Sequence, residues 1–218
     1  MNNDFFVIAG VLPSKLNALV KNIMKQTGVN DPNEAVRMVN AGEVQISVIK
    51  PRWTEKDGVI RFSVTSDGTT GKEWIPRLES KGFCVSDYSK SVLRSKYFRP
   101  SSDTTTEVAV LKGMLFSESD RTTKKIRIEA TNRKFITPNA ELACLIREKF
   151  SDKELEAMNL YWLVAMHEPI KDSGGDPRLL GADRLGSGSW LSADYDDPDF
   201  EWDHGSGFAF VVSQVFGS

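Results

Sequence analysis

The sequence predicts an α+β fold. Three observations carry that prediction. Helix-start signals recur along the chain, short apolar or alternating runs separate them, and residues 184–218 form a glycine and aromatic skeleton suited to short strands joined by turns. Of the 218 residues, 40% are apolar, enough for a core and against overall disorder. The chain is therefore one large domain or two small ones.

Phe5–Leu12 reads as a strand. Pro13 and Ser14 then open a helix with Leu16, Leu19, Val20, Ile23 and Met24 on one stripe, stopped by Gly28. Asp31-Pro32-Asn33-Glu34 starts a second helix: an N-cap, a proline at the first position, and a glutamate three residues after the cap. That helix ends at Gly42. Val44–Ile49 alternates as a strand does, and Asp57-Gly58 turns the chain into a second strand, Val59–Val64. Ser66–Lys72 invites comparison with a phosphate-binding loop. Its glycines are too close, however, and Glu73 follows the lysine, so it reads as a turn into a helix around Trp74–Ser80. Pro76 asks that helix to begin late.

Ser86-Asp87 starts a helix reaching about Leu93. Arg99–Thr106 is nearly devoid of apolar residues and reads as a loop between two halves. The expected division is 1–105, a mixed α/β scaffold region, and 106–218. Val108–Phe116 follows as a strand, then a basic helix over Ser119–Asn132 with Arg121, Lys124, Lys125 and Arg127, read as a solvated face. Thr137-Pro138 caps a helix to about Phe150. Ser151-Asp152-Lys153-Glu154 is a capping box for a short helix ending near Asn159. Tyr161–Met166 reads as a buried strand and Asp172–Pro177 as a turn. Trp190–Tyr195 and Phe208–Val215 complete the sheet.

Composition excludes several function classes. Cys84 and Cys144 are too few and too far apart for a disulfide framework or a zinc site. The run Phe5–Leu12 lacks a preceding lysine or arginine and is too short to cross a membrane, so a protein without membrane insertion, in the cytoplasm, is expected. A net charge of −2 argues against a dedicated nucleic-acid binder. That charge is uneven. Asp183–His204 holds seven acids (Asp183, Asp194, Asp196, Asp197, Asp199, Glu201, Asp203) and one base, Arg184, giving −6 there and +4 elsewhere.

No enzyme chemistry stands out. His167-Glu168-Pro169 lacks the second histidine of a zincin helix and sits in strand context, so a strand-end turn is expected. No Ser-His-Asp order, glycosidase pair or dinucleotide fingerprint is present, and Cys84 lies in the other half from His167.

The segment Arg184-Leu185-Gly186-Ser187-Gly188-Ser189-Trp190, followed by Gly207-Phe208-Ala209-Phe210-Val211-Val212, resembles the ending of C-type-lectin-like domains in the formylglycine-generating-enzyme style. It also resembles variable proteins of diversity-generating retroelements. The resemblance covers about 80 residues, Thr137 to Ser218. It departs at Ala209, where an arginine is usual. It implies a C-type-lectin-like α+β domain, a pairing of the Trp190 strand with the terminal Gly-Phe strand, and a hypervariable ligand-binding face. In such proteins mutagenesis acts at adenines, typically in asparagine codons. Ser, Asp, Tyr, His and Gly are reachable that way, and no asparagine follows Leu160. A soluble loop rich in Ser and Asp would look the same. The cysteines of the enzyme relatives are missing here, so their chemistry is not implied.

The function expected is thus non-enzymatic ligand binding, with a protein surface as partner. The binding residues would be Ser187, Ser189, Trp190, Ser192, Asp194, Tyr195, Asp196, Asp197, Asp199, Phe200, Trp202, Asp203, His204 and Ser206. Tyr195, Trp202, Trp190 and Phe200 would be aromatic anchors. Strand alternation puts Leu191, Phe208, Phe210, Val212 and Val215 inside, and Ser192, Asp194 and the Asp196–His204 loop toward solvent. No cofactor is expected. Calcium is the metal the acids could take, with an uncompensated acidic face as the other reading. The competing class is a DNA-binding regulator with a ribbon-helix-helix-like start, using Lys15, Lys21 and Lys25 on phosphates.

Overall fold

A computed structural model describes residues 13–44, 51–184, 186 and 188–213. The expected strand Phe5–Leu12, nearly all of Val44–Ile49, Ser187 and the end of the last expected strand lie outside the described residues. The chain divides into two compact units, Met1–Lys50 and Pro51–Ser218.

The first unit holds α1 (Pro13–Thr27) and α2 (Pro32–Asn40). Asp31 caps α2 as expected: its Oδ1 accepts the Asn33 amide at 3.0 Å, with Pro32 at the first helical position. Gly28 supplies the left-handed turn between them at φ +73°.

In the second unit, β1 (Thr54–Lys56) and β2 (Val59–Asp67) form a hairpin. α3 (Gly71–Ser80) follows. It begins at once rather than late, because Thr70 and Glu73 form a capping box and Trp74, Ile75 and Leu78 anchor it in the core. Pro76 sits in its interior and forgoes one ladder bond. The short β3 (Cys84–Val85) leads to α4 (Asp87–Arg94), N-capped by Ser86. A Cβ on Gly71 would lie 2.0 Å from the Leu93 carbonyl oxygen, so this glycine lets α3 approach α4. It serves packing, and the expected turn is confined to Gly68–Thr70, with Gly71 and Lys72 already helical.

β4 (Ser102–Lys112) comes next. It runs across the expected 105/106 boundary, and its first residues are strand where a loop was expected. Ladder pairing to β2 from Val59↔Leu111 to Asp67↔Ser102 holds this polar stretch extended. α5 (Thr123–Asn132), β5 (Phe135–Ile136), α6 (Glu141–Lys149) and α7 (Asp152–Ala157) follow. α6 begins at Glu141 rather than at Thr137-Pro138, since pairing of Ile136 with Val211 keeps the preceding chain extended. The Ser151–Glu154 capping box of α7 is as read from sequence. The chain closes with β6 (Trp162–Ala165), β7 (Ile170–Lys171), β8 (Pro177–Asp183), β9 (Trp190–Tyr195) and β10 (Ser206–Val212).

Together these make one α+β unit around a mixed sheet in the order β1-β2-β4-β10-β6-β8-β9-β3, with β5 beside β10 and β7 beside β8. β10 is central, antiparallel to β4 and parallel to β6. The Trp190 strand does not pair with it, contrary to what the resemblance implies. β6 and β8 stand between them, and β9 pairs with β8 and β3.

Both faces of the sheet are covered. One core joins Ile60, Val110, Ala165, Leu180 and Leu191 to α3, α4, α6 and α7. The other joins Leu111, Val164, Phe208, Phe210 and Trp202 to α5. That is why β10 does not alternate: Phe208 and Phe210 are buried as expected, with Ser206 on their face, and so are Gly207 and Ala209 on the other face.

Candidate functional site

The first amides of a helix have no partner within it. In α5 the C-terminal segment supplies two: Lys124 N–H donates to the Pro198 carbonyl at 2.9 Å and Thr123 N–H to the Phe200 carbonyl at 3.3 Å. Trp202 N–H donates to the Arg121 carbonyl at 2.9 Å, and Thr122 and Glu201 form an antiparallel bridge. Residues 198–202 thus lie along the start of α5 as an irregular extra strand.

Trp202 fixes this segment. It is 2% exposed, its indole N–H donates to Thr123 Oγ1 at 2.9 Å, and its ring packs edge-on against Trp162, Phe208 and Phe200. The Arg121 guanidinium donates to the carbonyls of Gly113 and Trp202. Arg127 reaches the Met166 and His167 carbonyls and pairs with Asp196 at 3.4 Å. The basic run is therefore not a free solvated face, since Arg121 just before α5 and Arg127 within it hold the acidic loop. Between loop and helix lies a groove of about 560 Å³ lined by Thr123, Lys124, Arg127, Ile128, Asp196 and Pro198.

The expected binding residues fall into three groups. Tyr195, Asp199, Phe200, Asp203 and His204 are exposed on or beside the loop. Tyr195 lies near the Arg178 guanidinium, 5.9 Å from its ring centroid. Trp202 and Ser206 are buried in the core. The rest are half-buried, except Ser187, which lies outside the described residues. Ser189 and Trp190 sit at the opposite end of β9 from the loop, about 17 Å away at the rise of a strand. Ser189 Oγ donates to Asp152 there at 2.6 Å. The expected surface is thus divided in two.

The acids are also used locally. Asp197 Oδ1 accepts the Asp199 amide at 2.9 Å, and Asp203 Oδ1 accepts the Gly205 amide at 3.0 Å, each closing a tight turn. The Gly205 amide, with the Tyr161 hydroxyl, holds the Asp203 carboxyl below its ordinary range. Asp194 is half-buried, whereas alternation points it to solvent. Its Oδ2 is shut off from solvent beside the Trp162 indole. Gly181 lies between them on β8, where a Cβ would come 3.1 Å from Trp162 Nε1. Burial, then the charge of Asp183, pushes the Asp194 carboxyl up to about 8. Among the described residues no three His, Cys, Asp or Glu side chains gather as a metal-binding group.

His167 is structural. Nδ1–H donates to the Glu168 carbonyl at 2.6 Å, and Nε2 accepts the Leu180 amide at 2.9 Å. Burial pulls it down to about 4, so it is a neutral ring.

Sequence reasoning missed Arg121, Thr123 and Arg127 as the residues that hold the loop. The available signal was the basic run itself, opposite in sign to the acidic segment. Comparisons with protein-family models, curated proteins and solved structures find no match. No helix among the described residues is long and apolar enough to cross a membrane.

Proposed function

We propose that this chain is a non-enzymatic ligand-binding protein that presents Tyr195–His204 to a protein partner. One observation carries the proposal. The loop is held by Trp202, by Arg121 and by the first amides of α5, yet Tyr195, Asp199, Phe200 and His204 remain exposed. A surface fixed before binding loses less entropy on association, and exposed Tyr and Phe supply rigid contact area. Trp202 and Ser206 belong to the support. The C-type-lectin-like resemblance gains support from the succession of β4, helices α6 and α7 and later strands in one sheet with β10 beside β4. The separation of β9 from β10 counts against a close match.

The test is the natural variation of this gene. Sister copies are expected to differ at Tyr195, Asp199, Phe200, Glu201 and His204, and to keep Trp202, Ser206 and Asp194. Copies that vary as freely at Trp202 would overturn the proposal. A photo-crosslinking residue at Phe200 is expected to trap a discrete partner, and one at the exposed Thr65, at the other end of the β2–β4 ladder, to trap none. Replacing Tyr195, Asp199, Phe200 and His204 together with alanine is expected to abolish that capture. It should leave the melting temperature within a few degrees, because exposed substitutions shift stability by about 0.5 kcal/mol or less each.

A further inference from the structure

The stretch from Tyr88 to Ser102 carries four cations, Lys90, Arg94, Lys96 and Arg99, and no carboxylate. With the turn after β7 it borders an open groove of about 580 Å³ between α4 and residues 171–173. Lys90, Arg94 and Lys171 line this groove, together with the hydroxyls of Ser91, Ser95 and Ser173. The Ser173 amide donates to Ser91 Oγ at 2.7 Å and ties the turn to the helix. Two carboxylates face the groove, Asp87 and Asp172.

Most of that positive charge is uncommitted. Lys90 pairs with Glu79 at 2.8 Å, and Asp172 pairs with Arg178 at 2.8 Å. Arg94, Lys96, Arg99 and Lys171 are exposed and make no ion pair among the described residues. Asp87 is the remaining counter-charge.

Aromatic rings border the same face. Of the four tyrosines in the chain, Tyr88, Tyr97 and Tyr195 are 55%, 62% and 48% exposed. The Arg178 guanidinium, itself fixed by Asp172 and Asp176, lies 4.2 Å from the Tyr88 ring centroid and reaches toward Tyr195. Lys96 Nζ lies 5.1 Å from the Tyr97 ring centroid, and the Tyr97 amide donates to Ser95 Oγ at the groove edge.

From this combination we infer that the α4 face binds single-stranded nucleic acid. Arg94, Lys96, Arg99 and Lys171 meet phosphates, and unstacked bases lie on Tyr88 and Tyr97. Cations interleaved with exposed rings suit this ligand, because each base offers a face to stack and each linkage a charge to neutralise. An acidic protein would use the cations and leave the rings idle. The net charge of −2, which argues against a nucleic-acid binder over the chain as a whole, acts weakly on this face, since exposed charges farther apart than about 8 Å are screened at physiological salt.

The probe is a fluorescein-labelled oligothymidylate of about twelve nucleotides, followed by anisotropy with the whole chain at about 50 mM salt. Saturable binding that weakens steeply with added salt is expected. Arg94→Glu with Lys171→Glu is expected to lower affinity roughly tenfold or more, and Tyr88→Ala or Tyr97→Ala roughly tenfold, with Tyr97→Phe retaining it. Lys96→Glu alters an exposed side chain and gives the same direction if the double variant folds poorly. Absence of binding, or equal affinity in all variants, overturns the inference. So does displacement of the oligonucleotide by an equal concentration of an oligoglutamate peptide, which would assign the face to acidic protein. None of these substitutions touches the Asp196–His204 loop, so this outcome and that of the crosslinking are independent.

Discussion

His167 couples the fold to pH. Its folded value near 4 lies below the ordinary 6.5, so the unfolded chain binds the proton more tightly. Stability contributed by the neutral ring is present above about 6.5 and is lost as pH falls toward 4, on the order of 3 kcal/mol. Chemical denaturation between these limits is expected to show that slope, and His167→Gln to flatten it. Asp194 acts in the opposite direction. Its value is raised to about 8, so its contribution is present at acid pH and is lost as pH rises from about 3.8 to 8. Asp194→Asn is expected to gain stability relative to the parent with rising pH, most of all above 8. Identical pH profiles for the two proteins would show that the carboxyl is not buried as described. Neither group was legible as such. A histidine before Glu-Pro gives no sign that a strand amide will meet its ring, and alternation along β9 could not foresee that Trp162 reaches Asp194 across Gly181.

At the scale of elements, the loop on α5 depends on one side chain. Trp202→Ala is expected to cost about 3–5 kcal/mol, as for other large core truncations. It should also release residues 198–202, which amide hydrogen exchange at Thr123 and Lys124 would report. Thr123→Val removes only the indole's acceptor and is expected to cost about 1–3 kcal/mol. If both variants kept parental protection at those amides, the loop would be held by something other than Trp202. Three helix starts were legible, because Asp31, Ser86 and Ser151 satisfy amides within three residues of themselves. Longer-range causes were hidden. Ser102–Thr106 looks like a loop because its partners on β2 lie about 40 residues earlier in the chain. Trp202 looked like a contact residue because a tryptophan among acids carries no mark of the side it faces.

At the scale of the whole molecule, the described core clusters draw only on residues after Lys50. A fragment comprising Pro51–Ser218 is expected to fold alone and to melt cooperatively within a few degrees of the full chain, followed by circular dichroism. A broad or absent transition would show that the first unit is required for the second. The order of the sheet has a consequence for biosynthesis. β4 and β6 are made early and β10 after both, yet β10 is the strand that joins them. A nascent chain therefore carries two unjoined half-sheets, each with a bare inner edge, until Ser206–Val212 leaves the ribosome tunnel. Closure across so long a sequence separation is slow, and open strand edges invite aggregation. A premature stop just before Ser206 would leave that state permanent, making the truncated product a client for chaperones and proteases rather than a shortened but working protein.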